Sequence, residues 1–146
     1  MASFNAVGLE DAERAILANA EKAAEAVDHM LRAGAKVLIA AHKRTLKAML
    51  GTRTGTLAES PGESKIGKTE SGRMISVYPQ GKQPHGTPGK GKSGNVRNAQ
   101  VGFTLEYGAR KTRNLPEVRW MKTANDASRD AVSEAMREEW ERHQDE

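Results

Sequence analysis

The residues that come nearest to a chemical motif run from Gly86 to Ser93. Their sequence, GTPGKGKS, matches the G-x-x-x-x-G-K-[ST] pattern of phosphate-binding loops. Such a loop needs a buried strand before it and a helix after it, because the helix amides point at the phosphate. Here the residues before the loop are polar and include Pro79 and Pro84, and the stretch after it, 94–98, is predicted to be a strand. The pattern therefore does not predict nucleotide hydrolysis.

Other residue types that could do chemistry form no known constellation in the sequence. None of the histidines forms H-E-x-x-H or stands one helical turn from another; they are His29, His42, His85 and His143. Since the chain has no Cys and metal sites need convergent ligands, we expect isolated surface histidines and no metal. The acidic pairs Glu10/Asp11 and Glu138/Glu139 lie in charged helical stretches, and Ser60 lacks a G-x-S-x-G context. We predict no catalytic residue, no cofactor and no enzymatic activity.

The composition is that of a small polar protein with a thin core. Hydrophobic residues make up 37% and aromatic residues 4% of the 146 residues, so we expect a partner to supply part of the burial. No window holds about 18 successive apolar residues, which predicts no membrane span. The start, MASFNAVGLEDAE, lacks the basic and apolar regions of a secretory signal. Without Cys, disulfides and thiol catalysis are excluded.

Charge is distributed unevenly along the chain. Residues 1–50 carry a net charge of +1, residues 51–116 a net of +7, and residues 117–146 a net of −4. A basic middle favours a polyanion and an acidic end favours a basic partner, although a solvated surface is the plain alternative. The Gly, Pro and Lys loop 80–94 in this stretch has no aromatic residue, so we expect phosphate contact without base stacking. The candidate basic residues are Lys65, Lys68, Arg73, Lys82, Lys90, Lys92 and Arg97.

Apolar periodicity predicts one long helix from Leu9 to Leu50. Apolar and small residues recur in steps of three and four, and the stretch is rich in Ala. Gly34 marks a bend or a close helix contact, and a two-helix hairpin bent there is the alternative. Gly51 is the predicted stop. So long a helix has a flank that its own chain cannot cover, and subunit contact is the natural use of that flank.

The remaining elements are predicted to be two strands and a second helix. The strands are Arg73–Tyr78, ended by Pro79, and Val96–Tyr107, with Val101, Phe103 and Leu105 on one face. Between them lies the Gly, Pro and Lys loop 80–94, expected to be mobile unless bound. The last helix runs from Glu117 to about His143, with Asn114 as its candidate cap and Pro116 in its first turn.

Together these elements predict one α+β domain over residues 1–146. It comprises a long N-terminal helix (1–50), a small antiparallel β-sheet with a long basic loop (51–116) and a C-terminal helix (117–146). We expect the helices to pack on one face of the sheet.

Three stretches, in this order and spacing, resemble a family of bacteriophage proteins. Thr54–Ser60 (TGTLAES) is similar to the T-G-x-L-x-x-S stretch of the tail-completion or head-tail connector proteins of long-tailed phages, often filed as minor tail components. Leu105–Ala109 (LEYGA) is similar to that family's E-[FY]-G-T stretch. Asn114–Ala124 (NLPEVRWMKTA) resembles the P-x-x-R-P-A stretch that opens its last helix. The chain departs from the family pattern at Ala109, where Thr is usual, and in placing its aromatic residue at Trp120.

The resemblance implies a structural virion protein of the neck, which joins or completes the tail as part of a homo-oligomeric ring, a hexamer being one option. Its implied partners are neighbouring neck and tail proteins and the double-stranded genome in the channel, with no membrane. Its implied location is the virion, and the host cytoplasm during assembly. The alternatives are a tail terminator or head-closure protein of the same assembly, and a non-specific DNA-binding protein using residues 51–116.

The same resemblance implies which residues matter. In this interpretation the basic loop faces the channel or an acidic neighbouring ring. The motif residues are expected to pack in the core or at an interface; they are Gly55, Leu57, Glu106, Tyr107, Gly108, Pro116 and Trp120.

Overall fold

Two long antiparallel helices form the frame of the protein. The computed structural model of the chain describes residues 7–50, 55–85, 94–109 and 114–145. Helix α1 spans Val7–Leu50, and the last helix, α4, spans Trp120–Gln144. The start of α4 packs near the end of α1, and its last turn reaches His29 in the middle of α1. The predicted long helix is confirmed, and the hairpin alternative is wrong because α1 continues without interruption through Gly34.

Gly34 lets the two helices approach closely. A Cβ atom at this position would lie 2.8 Å from Met136 Cγ and 3.3 Å from Val132 Cγ1. Glycine removes that overlap, so the close-contact interpretation of Gly34 is confirmed. The predicted stop at Gly51 lies outside the described residues.

The middle of the chain holds two short helices and three two-stranded antiparallel sheets. Helix α2 spans Gly55–Glu59 and helix α3 spans Asn98–Tyr107. The strand pairs are β1 with β4, β2 with β3, and β5 with β6. In chain order the strands are β1 (Pro61–Glu63), β2 (Gly67–Thr69), β3 (Gly72–Met74), β4 (Val77–Pro79), β5 (Lys82–His85) and β6 (Gly94–Arg97).

The predicted strand from Arg73 to Tyr78 is divided into two. Pro61 pairs with Pro79 in one register, whereas Gly67 pairs with Met74 in a register shifted by one residue. Residues 64–66 thus face residues 75–76, three against two, which is the offset of a β-bulge. The strand prediction missed the bulge because the apolar alternation continues through it.

The second predicted strand is wrong over most of its length. Only 96–97 belong to β6, and Val101, Phe103 and Leu105 lie on helix α3. Val101 and Leu105, one helical turn apart, pack against the core around Trp120, whereas Phe103 is substantially exposed. Tertiary packing therefore overrides the strand-like alternation. The predicted loop 80–94 is also shorter than expected, because β5 and β6 pair within it.

Helix α4 begins later than predicted. Pro116 and Glu117 precede it, and Asn114 has a left-handed backbone (φ 49°) instead of capping it. Arg119 occupies the N-cap position with φ 56° and ψ 37°, and its side chain makes no capping hydrogen bond.

The core lies where α1, α2, α3 and α4 meet. Its fully buried members are Leu46, Leu57, Ala58 and Trp120. The α+β class is confirmed, with three small two-stranded sheets in place of one. Among the described residues, no helix is long and apolar enough to span a bilayer.

Candidate functional site

The three motif stretches meet around the indole of Trp120. Trp120 has no exposed surface, and its Nε1 donates a hydrogen bond to the carbonyl oxygen of Gly102 at 2.8 Å. Leu57, from the first stretch, is fully buried in the same cluster. A Cβ at Gly102 would lie 2.8 Å from Pro79 and 3.3 Å from the indole, so glycine allows this close approach. The role of Leu57 and Trp120 is core packing.

Glu106, from the second stretch, caps helix α4. Its buried carboxylate accepts the backbone N–H of Met121 at 2.6 Å and that of Lys122 at 3.2 Å. The first N–H groups of a helix have no partner within the helix, and a negative charge there is stabilised by the helix dipole. Glu106 therefore does for α4 what Asn114 was predicted to do. No local sequence pattern indicates this cap, because it acts across 15 residues from another helix.

Gly108 is the C-cap residue of helix α3, at the end of the second stretch. Its φ is 76°, and a Cβ there would lie 2.8 Å from the carbonyl oxygen of Leu115 and 2.9 Å from the amide nitrogen of Glu117. Ala109 pairs with Leu115 in an isolated bridge beside it. Only glycine fits this left-handed and crowded position.

The other motif residues lie at the margin of this junction. Tyr107 is 64% exposed; its ring lies 5.6 Å below the Arg119 guanidinium and stacks on Phe103 at 6.4 Å. Pro116 is exposed, and Gly55 begins α2. Tyr107 and Pro116 are therefore not core residues within the described fold, and both are accessible to a neighbouring molecule.

His42 corrects the expectation that the histidines lie on the surface. It is almost completely buried, and its Nε2 lies 2.8 Å from Asn125 Oδ1. Its ring is nearly perpendicular to the Trp120 indole, with the ring centroids 5.2 Å apart. Desolvation by burial lowers its pKa below 6.5, although the Asn125 contact and the charge of Glu106 act in the opposite direction. Within the described residues His42 Nδ1 has no hydrogen-bond partner, so the ring is placed as a neutral packing residue.

Three of the predicted basic residues line one groove. Lys65, Lys82 and Arg97 surround an open concavity of about 540 Å³ that Tyr78 and Glu63 also line. Lys82 and Arg97 are directly opposite each other on β5 and β6. In the described parts of the chain, none of the three cations lies within ion-pairing distance of a carboxylate. We call this surface the basic groove.

The remaining predicted basic residues do not join the basic groove. Arg73 forms a two-pronged ion pair with Asp28 on α1, with its Nη2 2.6 Å from Asp28 Oδ2, so its charge is neutralised. Lys68 is exposed on β2, opposite Arg73 in register. Lys90 and Lys92 lie outside the described residues, as does the rest of the phosphate-loop pattern.

The strands on either side of that pattern bear on its chemistry. β5 precedes it and β6 follows it, and the two pair antiparallel from Lys82↔Arg97 to His85↔Gly94. The pattern thus connects two strands of a hairpin, whereas a phosphate-binding loop leads from a strand directly into a helix. The predicted strand after the pattern is therefore confirmed at Gly94–Arg97.

The N-terminal part of α1 extends beyond the rest of the described fold. Every residue from Asp11 to Ala23 is exposed, including Ile16 at 68% and Leu17 at 58%. Because α4 ends at Gln144, beside His29, it does not cover this part of α1. We call residues 11–23 the helical arm; it is roughly 20 Å long at about 1.5 Å per residue.

Comparison of the chain with protein-family models, curated proteins and solved structures gave no match. Similarity to the phage family therefore depends on the three motif stretches.

Proposed function

We propose that the chain is a structural protein of a bacteriophage neck, which joins or completes the tail as one subunit of a ring. The observation that carries the proposal is the meeting of the three motif stretches at one junction. Leu57, Glu106 and Trp120 come from separate stretches, yet all three are buried at this junction. Leu57 and Trp120 belong to one hydrophobic cluster, and Glu106 caps the helix that begins at Trp120. Burial at one junction gives the three stretches that carry the resemblance a common structural role, which is what the neck proposal expects of them.

The helical arm supports assembly into an oligomer. Ile16 and Leu17 expose large apolar side chains on a helix that the described fold leaves uncovered. A head-to-tail ring needs two different surfaces on each subunit, and the arm provides one that can reach a neighbour. The basic groove is a separate surface that ring closure does not require, and in a ring it faces the DNA channel or an acidic neighbouring ring.

Assembly can be tested with the full-length chain by mass photometry and negative-stain electron microscopy. We expect closed rings from the wild-type chain, and monomers from the double variant Ile16→Glu/Leu17→Glu. The matched control is Ala15→Glu/Ala18→Glu, which adds the same charge on the other side of the arm and should still form rings. A wild-type chain that remains monomeric at every concentration and salt tested would contradict the ring.

A second candidate function is non-specific DNA binding by the free monomer. The observation that favours it is the clustering of Lys65, Lys82 and Arg97 in one groove, where Glu63 is the acidic lining residue and, among the described residues, none of the three cations forms an ion pair. It predicts that the monomer binds duplex DNA with an affinity that falls steeply with salt. In the neck proposal DNA contact is weak, because tight contacts would stall passage of the genome, and variants with a neutral groove still assemble.

A further inference from the structure

We propose that His29, Glu139 and His143 form a site for one divalent transition-metal ion, which fastens the end of α4 to the middle of α1. One ligand atom from each residue lies within 4.8 Å of the others. No step of the proposed neck function requires this site, so the two proposals can fail independently.

The two helices bring the three groups together. Glu139 and His143 are four residues apart on α4 and therefore share one face. His29 reaches the same place from α1, and its ring stacks on that of His143 at 4.7 Å with the planes 28° apart. The sequence-based expectation of isolated histidines is thus wrong for this pair.

The carboxylate of Glu139 is already oriented towards the imidazoles. Its Oε2 is held by Arg142 Nη1 at 2.9 Å, while its Oε1 lies 3.4 Å from His143 Nε2. The side chains of Glu139 and His143 are 18% and 22% exposed, so both are largely fixed by the helix packing. Because metal–ligand bonds are about 2.0–2.2 Å long, the three groups, whose ligand atoms lie within 4.8 Å of one another, would move slightly closer together to bind one ion.

The donor set indicates the class of metal. Two imidazole nitrogens with one carboxylate oxygen are ligands for Zn²⁺, Co²⁺ and Ni²⁺, whereas Mg²⁺ and Ca²⁺ prefer oxygen alone. Three protein ligands leave at least one coordination position open. The adjoining groove, lined by Arg32, Lys36 and Glu63 among others, gives that position access to water.

The position of the site suggests what the ion would do. His143 lies in the last turn of α4, and His29 lies six residues after the end of the helical arm. Helix ends fray unless they are tied down. A metal bridge here secures the last turn of α4 and fixes the point from which the arm leaves the fold. Because metal ligands couple binding to folding, an ion bound here also raises the stability of the folded chain.

Only two of the three proposed metal ligands could have been recognised from the sequence. The E-x-x-x-H spacing at Glu139 and His143 could have been found on a predicted helix. The third ligand, His29, could not, because its proximity depends on how α1 and α4 pair.

The test is titration of the untagged, chelator-treated full-length chain with Zn²⁺ and, separately, Co²⁺. We expect one ion per chain by calorimetry, visible Co²⁺ absorption typical of nitrogen and oxygen ligands, and a higher melting temperature with Zn²⁺. His29→Gln and His143→Gln should each weaken binding by about 100-fold or more, since even outer partners of metal ligands contribute about 10- to 100-fold. The control is Glu138→Gln. It removes one negative charge next to Glu139 but no proposed ligand, so it should bind Zn²⁺ like the wild type.

Three outcomes overturn the proposal. The first is no saturable binding of either ion by the wild-type chain. The second is unchanged affinity in the double variant His29→Gln/His143→Gln, shown by circular dichroism to be folded. The third is a loss in Glu138→Gln as large as that in His143→Gln.

Discussion

Glu106 Oε2 accepts the backbone N–H of Met121 at 2.6 Å, and this hydrogen bond joins the second motif stretch to the third. It explains why α4 begins at Trp120, because the buried carboxylate supplies the partner that the first amides of the helix lack. With α4 starting there, the Trp120 indole donates its hydrogen bond to Gly102 and forms a T-shaped pair with the His42 ring. A capping interaction between helices thus determines the arrangement of the junction.

Removing this cap should destabilise the fold. We expect Glu106→Ala to lower the free energy of unfolding by roughly 2–4 kcal/mol, because hydrogen bonds to a charged group are worth about 1.5–3 kcal/mol each and are partly replaced by water. Glu106→Gln keeps one acceptor oxygen and should lower the free energy of unfolding by less. The exposed Glu117→Ala is the control for the change in charge. Urea unfolding measures all three, and equal losses for Glu106→Ala and Glu117→Ala would show that the cap contributes nothing.

Gly108 should tolerate no side chain. We expect Gly108→Ala to cost at least about 2 kcal/mol, because a left-handed residue with Cβ is strained by about 1–3 kcal/mol and the new atom also meets Leu115 and Glu117. Gly67→Ala is the matched control, since the nearest atom to its Cβ, the carbonyl oxygen of Met74, is 4.0 Å away. Thermal unfolding of both variants checks this, and a Gly108→Ala protein as stable as Gly67→Ala contradicts the crowded turn.

His42 should make stability depend on pH in the acidic range. Burial lowers the pKa of His42 in the folded chain, whereas in the unfolded chain it is about 6.5. The unfolded state therefore binds more protons, so stability is complete above about pH 6.5 and falls as the pH drops from there towards the lowered folded pKa.

Melting temperatures between pH 8 and pH 5 can detect this contribution. We expect His42→Gln to flatten the fall relative to the wild type. Asn125→Ala removes a contact that raises the His42 pKa, so it should keep the pH dependence. Identical pH profiles for the wild type and His42→Gln would assign the dependence to other groups.

The basic groove should dominate whatever polyanion binding the chain shows. We expect the triple variant Lys65→Ala/Lys82→Ala/Arg97→Ala to weaken binding to duplex DNA. The slope of log K against log salt should also become shallower, by up to about 0.9 for each phosphate that the variant no longer neutralises. The control, Lys22→Ala/Arg44→Ala/Arg129→Ala, removes the same charge from α1 and α4. Equal effects of the two triple variants would mean that net charge, and not the groove, governs binding.

The parts of the fold that follow from local periodicity could be predicted, and the parts that depend on contacts between elements could not. Helix α1 and most of α4 are long, uninterrupted and rich in Ala, so the spacing of their apolar residues was enough to predict both helices. Helix α3 has the sequence pattern of a strand, because Val101, Phe103 and Leu105 alternate over a stretch shorter than three helical turns. Its helical form depends on Gly102 and Leu105 packing against Trp120, which no local pattern reveals.

The basic groove and the histidine pair also depend on contacts between elements that the sequence does not reveal. The sequence identified Lys65, Lys82 and Arg97 as basic, but their meeting in one groove depends on the pairing of β5 with β6. It also grouped Arg73 with them, because the distant Asp28 that neutralises it lies on α1. His29 and His143 come together only through the antiparallel packing of α1 and α4.

The neck proposal implies that a phage or prophage encodes this chain, and the most direct measurement is electron microscopy of the particles that it produces after deletion of the gene. A neck protein predicts DNA-filled heads beside unjoined tails or tails with misformed ends, and the tail lengths separate completion from termination. Restoring the gene should restore joined particles. Normal infectious particles in its absence would contradict a role in the neck.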